Sequence, residues 1–298
     1  MSDFRLKVFR SVAKNLSFTK ASQELFVSQP AITKHIQELE AAYQTRLFDR
    51  QGSRISLTES GNLLLEHCER ILEDYKRLEY EMHLLHNEYT GGLKLGASTT
   101  IAQYVLPPLL ASFIGKFPQV SLSLLNGNSR EIEAALQEHR IDLGFVEGVF
   151  RLPNIRYTTF LEDELMAVVR TGSKLAVGEE ITPDELFHLP LVLRERGSGT
   201  LDVFERALQQ HNIKLSSLQV LMYLGSTESI KLFLEHTDCL GIVSVRSITR
   251  ELYSGQLRVV EIKGMPMLRD FSFAQPQGQE SGLAQVFMQF AMHNNHKL

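Results

Sequence analysis

Cysteine occurs twice and tryptophan not at all. Cys68 and Cys239 stand far apart in the chain, which gives neither a metal-ligand spacing nor a disulfide framework, so both read as plain thiols of a reducing compartment. Long apolar runs are missing too. No window approaches the roughly 18 apolar residues that a membrane span needs, and the opening stretch MSDFRLKVFR carries charge at positions 3, 5, 7 and 10, unlike an export signal. The expectation is a cytoplasmic protein without membrane contact. Catalytic motifs are equally scarce. The turn RERGSGT (194–200) is not G-x-S-x-G, because Arg196 and Thr200 occupy the outer positions. Gly197 and Gly199 are followed by Asp202 where a dinucleotide loop needs glycine, and no phosphate-loop lysine follows. His83 and His86 lack cysteine or carboxylate partners at metal spacing, so no catalytic residue, metal or cofactor is expected.

The composition is that of an ordinary globular protein, with 43% hydrophobic and 22% charged residues. Its net charge of −4 is unevenly spread. Residues 1–60 hold nine Lys and Arg against six Asp and Glu, so a basic head precedes an acidic body, and phosphate attraction follows the local field. In the head, FRLKVFRSVAKN (4–15) has the apolar spacing of an amphipathic helix. SFTKASQEL supplies Ser17 as an N-cap of a second helix, with Phe18, Ala21 and Leu25 inward. SQPAITKHIQELEAAY then opens a third, with Ser28 as N-cap and Pro30 in the first turn. There Ile32, Ile36, Leu39 and Tyr43 face inward, which leaves Gln29, Pro30, Thr33, Lys34 and Gln37 outside. Glutamine reads an adenine edge, threonine meets a thymine methyl or a phosphate, and lysine a phosphate, so this face suits a major groove as well as plain solvent. LFDRQGSRISLT follows as two extended runs around a turn, with Arg50 and Arg54 at the bend, as a wing on the DNA backbone requires.

These motifs carry a resemblance. From FRSVAKN through SQPAITKHI to LFDRQGSRISLTESG, the head resembles the winged helix-turn-helix of the LysR-type transcriptional regulators over about sixty positions. The resemblance implies recognition contacts at Gln29, Pro30, Thr33 and Lys34, where the family commonly has serine at the position of Thr33, and wing contacts at Arg50 and Arg54; Ser28 and Gln37 of the same helix are further DNA-binding candidates. It also implies double-stranded promoter DNA carrying an inverted repeat, and RNA polymerase as a further partner.

Between Thr58 and Tyr89 no proline interrupts the helical pattern. Cys68, Tyr75 and Met82 as a positions, with Leu64, Ile71, Leu78 and Leu85 as d positions, form a seven-residue repeat that asks for a partner helix. A helix lying on its own domain is the alternative. The resembled family dimerises through a linker helix here, which implies a homodimer and, beyond it, a dimer of dimers.

The body alternates short apolar runs (LKLGA, VSLSLL, IDLGFV, LPLVL, LQVLMYL, CLGIVSV) with helical stretches near 101–117, 129–139, 200–211 and 227–236. Such alternation predicts parallel sheet in two α/β lobes. The fold class is therefore α/β multi-domain: a winged helix-turn-helix over 1–60, a linker helix over 58–89 and an effector-binding domain over 91–298. The body is similar to the family's effector domain, closest to the branch of sulfur-assimilation and carbon-fixation regulators, which itself resembles type 2 periplasmic binding proteins. That implies lobe I at 91–161 and 268–298 and lobe II at 162–267.

Ligands of open α/β sheets lie beyond the carboxyl ends of strands, against helix N-termini. The exits of the predicted strands carry Ser98, Thr99 and Thr100; Asn128; Glu147; Arg196, Gly197, Ser198, Gly199 and Thr200; and Ser226. Taken singly, each hydroxyl or amide is as well read as a helix cap. Together they outline an effector cleft for a small anionic or polar metabolite, an inorganic oxyanion such as sulfate or sulfite, or an organic acid. Which of Arg194 and Arg196 faces the cleft stays open. The function expected is a ligand-gated DNA-binding regulator, not an enzyme. The alternative, a solute-binding protein or anion sensor without a DNA role, has no use for the basic head.

Overall fold

The apolar spacing of the head folds as three helices, α1 (Phe4–Asn15), α2 (Phe18–Leu25) and α3 (Gln29–Tyr43). In this computed structural model, residues 4–51, 54–86, 89–175, 178–277 and 282–295 are described, and the chain divides into two units, Met1–Asn87 and Glu88–Leu298. The caps read from the sequence form: Ser17 accepts from the Lys20 amide and Ser28 from the Ala31 amide. Both α2 and α3 end on a residue in the left-handed region, Phe26 and Gln44. Phe9, Val12, Ala21, Ile32, Ile36 and Leu39 are buried together. Tyr43, expected inward, is 56% exposed, because α3 ends there, one turn beyond the last core contact at Leu39. β1 (Phe48–Gln51) and β2 (Arg54–Leu57) pair antiparallel through Gln51 and Arg54. The turn at 52–53 and the side chains of Arg50 and Arg54 lie outside the described residues.

α4 (Glu59–His86) is the long helix of the first unit. Its first half is a wall of the head. Cys68 and Leu72 are buried in the head core, and the Cys68 thiol donates to the Leu6 carbonyl. Burial pushes that thiol up to about 11. Cys68 is therefore not available at a helix-pairing seam; Ile71, Leu78 and Met82 are exposed, while the side chain of Leu85 lies outside the described residues.

The second unit contains one continuous mixed sheet. Its first part is β3 (Gly91–Ser98), a π-helical turn at Ile101–Val105, α5 (Leu106–Lys116), β4 (Val120–Gly127), α6 (Ser129–Gln137) and β5 (Leu143–Glu147). β6 (Ile155–Arg170), β7 (Glu180–Ile181), β8 (Leu191–Arg194), α7 (Gly199–Gln210), β9 (Val220–Leu224), α8 (Thr227–His236) and β10 (Leu240–Ser244) follow. α9 (Thr249–Tyr253), β11 (Leu257–Ile262), β12 (Leu268–Pro276) and α10 (Gly282–Asn294) complete it.

The strand order is β4-β3-β5-β12-β6-β10-β8-β9, with β11 on β6 and β7 on β11. Parallel pairing holds among β3, β4 and β5 and among β8, β9 and β10. The wholly parallel sheet expected from the alternation is corrected by β6, β11 and β12, whose pairings with β5, β6 and β10 run antiparallel. β6 pairs with β12 from Ile155 to Glu164 and then with β10 and β11 up to Arg170. One strand thus runs through both halves of the unit, and β12 brings the chain back. Each half has its own core: Phe113, Phe145, Phe273 and Phe287 pack ring on ring on one side, and Leu193, Phe204, Leu208 and Ile242 are buried on the other.

Candidate effector cleft and DNA-reading helix

In the head, Ser28, Gln29, Pro30, Lys34 and Gln37 are exposed and Thr33 half-buried, on the face of α3 opposite Ile32, Ile36 and Leu39. Two hydroxyls are already engaged: Ser28 caps α3, and Thr33 Oγ1 donates to the Gln29 carbonyl at 3.1 Å. The side chains free to reach a base edge or phosphate on this face are Gln29, Lys34 and Gln37.

In the second unit, Asn128, Ser198 and Ser226 act first as caps. Asn128 forms a capping box with Glu131 at the start of α6, Ser198 accepts from the Leu201 amide in α7, and Ser226 from the Ser229 amide in α8. Each thus satisfies an amide of the first turn of its own helix. Gly197 is left-handed, φ 92°, and a Cβ there would meet Asn128 Oδ1 at 3.1 Å. Gly199 is tighter still: a Cβ would stand 2.3 Å from the Glu147 carbonyl oxygen. The Arg130 amide donates to the Gly197 carbonyl, so the turn 197–199 sits against the starts of α6 and the end of β5.

Polar contacts cross between the halves at three places, the first two of them buried. Ser98 Oγ and Thr100 Oγ1 donate to the two oxygens of Glu147, at 2.8 and 3.3 Å. Arg269 Nη1 lies 3.2 Å from Glu147 and donates to Thr200 Oγ1 at 3.0 Å, and its Nε donates to Asp163, which also accepts from Ser244. Second, Arg194 donates to Thr99 Oγ1 at 3.2 Å, and also bonds Glu195 and the Gly225 carbonyl. Third, the Tyr104 hydroxyl donates to Glu228 of α8. Burial and that carboxylate raise the Tyr104 hydroxyl well above the usual phenol range. Burial works to raise Glu228, but hydrogen bonds from Lys231 and Tyr104 bring it below the usual carboxylate range.

The structure therefore joins Ser98, Thr100, Glu147 and Thr200 in one network with Arg269, holds Thr99 on Arg194, and sets the turn of Gly197, Ser198 and Gly199 against Glu147 and Asn128; all of these but Asn128 are buried. Asn128 and Ser226 are half-buried. Arg196 does not join them: it is exposed and pairs with Glu205 at 2.7 Å. Arg194 is the one turned inward, 2% exposed, because it is the last residue of β8 whereas Arg196 lies in the turn beyond. Sequence reasoning missed Arg269, Asp163, Tyr104 and Glu228. The available signal for the first two was charge inside apolar strands, FLEDELMAVV and MLRDFSF.

Comparison with known proteins gives the same division. Residues 4–62 match the family described as bacterial regulatory helix-turn-helix protein, lysR family, and residues 86–295 match the LysR substrate binding domain. The uncharacterized HTH-type transcriptional regulator YeiE of Escherichia coli (strain K12) is 35% identical over 258 residues, 87% of this chain and 85% of its own. The RuBisCO operon transcriptional regulator of Acidithiobacillus ferrooxidans is 30% identical over 287 residues, 96% of this chain and 92% of its own. The regulatory domain of Synechocystis PCC6803 CcmR, solved in complex with 2-PG, is 27% identical with a TM-score of 0.62, covering 68% of this chain and 97% of that one. With its head and its body each matched in sequence, and with relatives aligned along most of its length, the chain belongs to the LysR family of DNA-binding transcriptional regulators, with a helix-turn-helix head and an effector-binding domain.

Proposed function

We propose that the inter-lobe contact is the effector site, and that it takes a small oxyanion or organic acid by exchange with Glu147. One observation carries this reading: Glu147 holds two hydroxyls and a guanidinium, from Ser98, Thr100 and Arg269, in a buried place. That donor set is what sulfate, phosphate or a carboxylate requires. A ligand that takes over those donors frees Glu147 and loosens the Arg269 contact with Thr200, which changes the angle between the lobes. The CcmR regulatory domain with 2-PG bound makes 2-PG a natural probe. Ser198 serves as a cap and hydrogen-bonds to no histidine among the described residues, which favours sensing over covalent chemistry.

The head reads duplex DNA through Gln29, Lys34 and Gln37 of α3, with Arg50 and Arg54 of the wing on the backbone. A promoter inverted repeat presents two half-sites, and two copies of the chain meet them through the exposed stripe Ile71, Leu78 and Met82 of α4. Regulation then acts on RNA polymerase at that promoter.

The cleft is tested by thermal shift of the full chain against sulfate, sulfite, phosphate, thiosulfate, 2-PG and common organic acids. Stabilisation by at least one, lost in Thr100→Ala with Ser198→Ala, is the expected result; no stabilisation by any, or none lost in the double variant, overturns the reading. For the head, a labelled fragment with an inverted repeat should bind with a steep salt dependence, and Lys34→Ala should reduce the salt slope by about one.

A further inference from the structure

The strands that join the lobes carry charges the cleft does not use. Glu162 and Asp270 are direct partners across the β6–β12 ladder, so both carboxylates leave the same face, and like charges so placed repel. One step along, Asp163 and Arg269 satisfy each other, but Glu162 and Asp270 enter no ion pair among the described residues. Asp270 accepts a single long hydrogen bond, from Thr159 at 3.4 Å.

These two residues, with Arg151, Arg206 and Leu268, wall a cavity of about 410 Å³. Arg206, on the exposed side of α7, makes no hydrogen bond or ion pair among the described residues. Arg151 lies over the Tyr157 ring at 4.5 Å, donates to Ser272 Oγ and favours the charged form of the buried Glu133, but makes no direct ion pair among the described residues. Two guanidiniums and two carboxylates therefore surround one space, none of them in a direct ion pair among the described residues, beside the exposed Leu268.

An anion alone would meet Glu162 and Asp270, and a cation alone would meet the two arginines. A molecule bearing both charges satisfies both walls, and the volume suits a small metabolite. We propose that this cavity is a second ligand site that binds an α-amino acid as its zwitterion: the ammonium between Glu162 and Asp270, the carboxylate on Arg206 and Arg151, the side chain along Leu268. The site lies on the two strands that join the lobes, and Asp163 and the Arg269 that reaches Glu147 also line it, so its occupant acts on lobe angle from the other end of that guanidinium.

The test uses the full chain and isothermal titration with the twenty common L-amino acids at millimolar concentration, followed by the N-acetyl and methyl ester forms of any that bind. At least one amino acid should bind. Each blocked form should bind about tenfold more weakly or worse, as should the amino acid to Arg206→Ala and to Glu162→Gln. Circular dichroism verifies that both variants are folded, and their thermal response to cleft anions should be unchanged, which separates this site from the proposed effector cleft. The proposal is overturned if no amino acid binds, if the N-acetyl form binds as well as the parent, or if both folded variants keep full affinity.

Discussion

Arg269 and Asp163 face each other directly across the β6–β12 ladder, with Nε and Nη2 of the guanidinium both 2.7 Å from one carboxylate oxygen. Neither side chain is exposed, and Arg269 also serves Glu147 and Thr200. A guanidinium shared in this way fixes the lobes' contact more than it stabilises the fold, because the attraction of a buried pair is largely offset by its desolvation.

Removing one partner should therefore be costly and removing both much less so. Arg269→Met leaves Asp163 with only the longer contact to Arg246, at 3.6 Å, and takes the guanidinium from Glu147, and should destabilise the second unit by about 3–5 kcal/mol. Adding Asp163→Leu should recover a large part of that loss. Urea denaturation of the four members of the double-mutant cycle measures the coupling; equal losses in the single and the double variant would contradict the shared-charge account.

Glu147→Gln keeps the side chain's shape and removes its charge. Since a bound anion would have to displace that carboxylate from Ser98, Thr100 and Arg269, the variant should bind effective anions more tightly, by about tenfold for a contribution of 1.4 kcal/mol. Titration of the best stabilising anion from the thermal screen decides the matter. Weaker binding would mean that Glu147 itself holds the ligand.

Gly199→Ala places a methyl 2.3 Å from the Glu147 carbonyl oxygen, in backbone that yields only by moving the turn away from β5. The cost should be about 1–3 kcal/mol of overpacking. The consequence for sensing should be larger, because the lobes can no longer reach their contact: the variant should fold, melt earlier and show little response to any anion that stabilises the parent. An unchanged response would show that the lobes bind ligand without this approach.

Asp202 gives a pH dependence. Burial raises its pKa above the usual carboxylate value, partly offset by the nearby Arg130, with Glu205 adding to the rise and Arg196 opposing it. A folded value above the unfolded one contributes stability below the unfolded pKa of about 3.9, and that contribution is lost as pH rises through the folded value. Asp202→Asn should therefore melt higher than the parent at neutral pH and lose the parent's decline across the mildly acidic range. Melting curves at a series of pH values check it, and a variant that is less stable throughout would refute the sign.

What the sequence disclosed follows from the reach of each signal. Period and caps are local, so α3 with its Ser28 cap and the strands β3, β4, β5, β8 and β10 could be read from neighbouring residues. β6 and β12 could not: FLEDELM and LRDFSF look like loop because Glu162, Asp163, Arg269 and Asp270 interrupt the apolar pattern, and the pairing of Asp163 with Arg269 joins residues over a hundred positions apart. The same limit applies at the cleft. Ser98, Thr100 and Glu147 were visible as strand exits, but their common partner Arg269 comes from the returning strand. The choice between Arg194 and Arg196 depended on where β8 stops, a boundary that the pattern PLVLRERG does not mark.

The lobes are tied by a ribbon two strands wide. Its hydrogen-bond ladder holds β6 and β12 in register from Ile155 to Glu164 apart from one bulge at Phe271 and Ser272. Sliding along the strands would break that ladder, whereas twist and bend leave it intact. The pairing therefore favours twist and bend of the lobes over sliding, and the distance between one label on each lobe is expected to follow that motion.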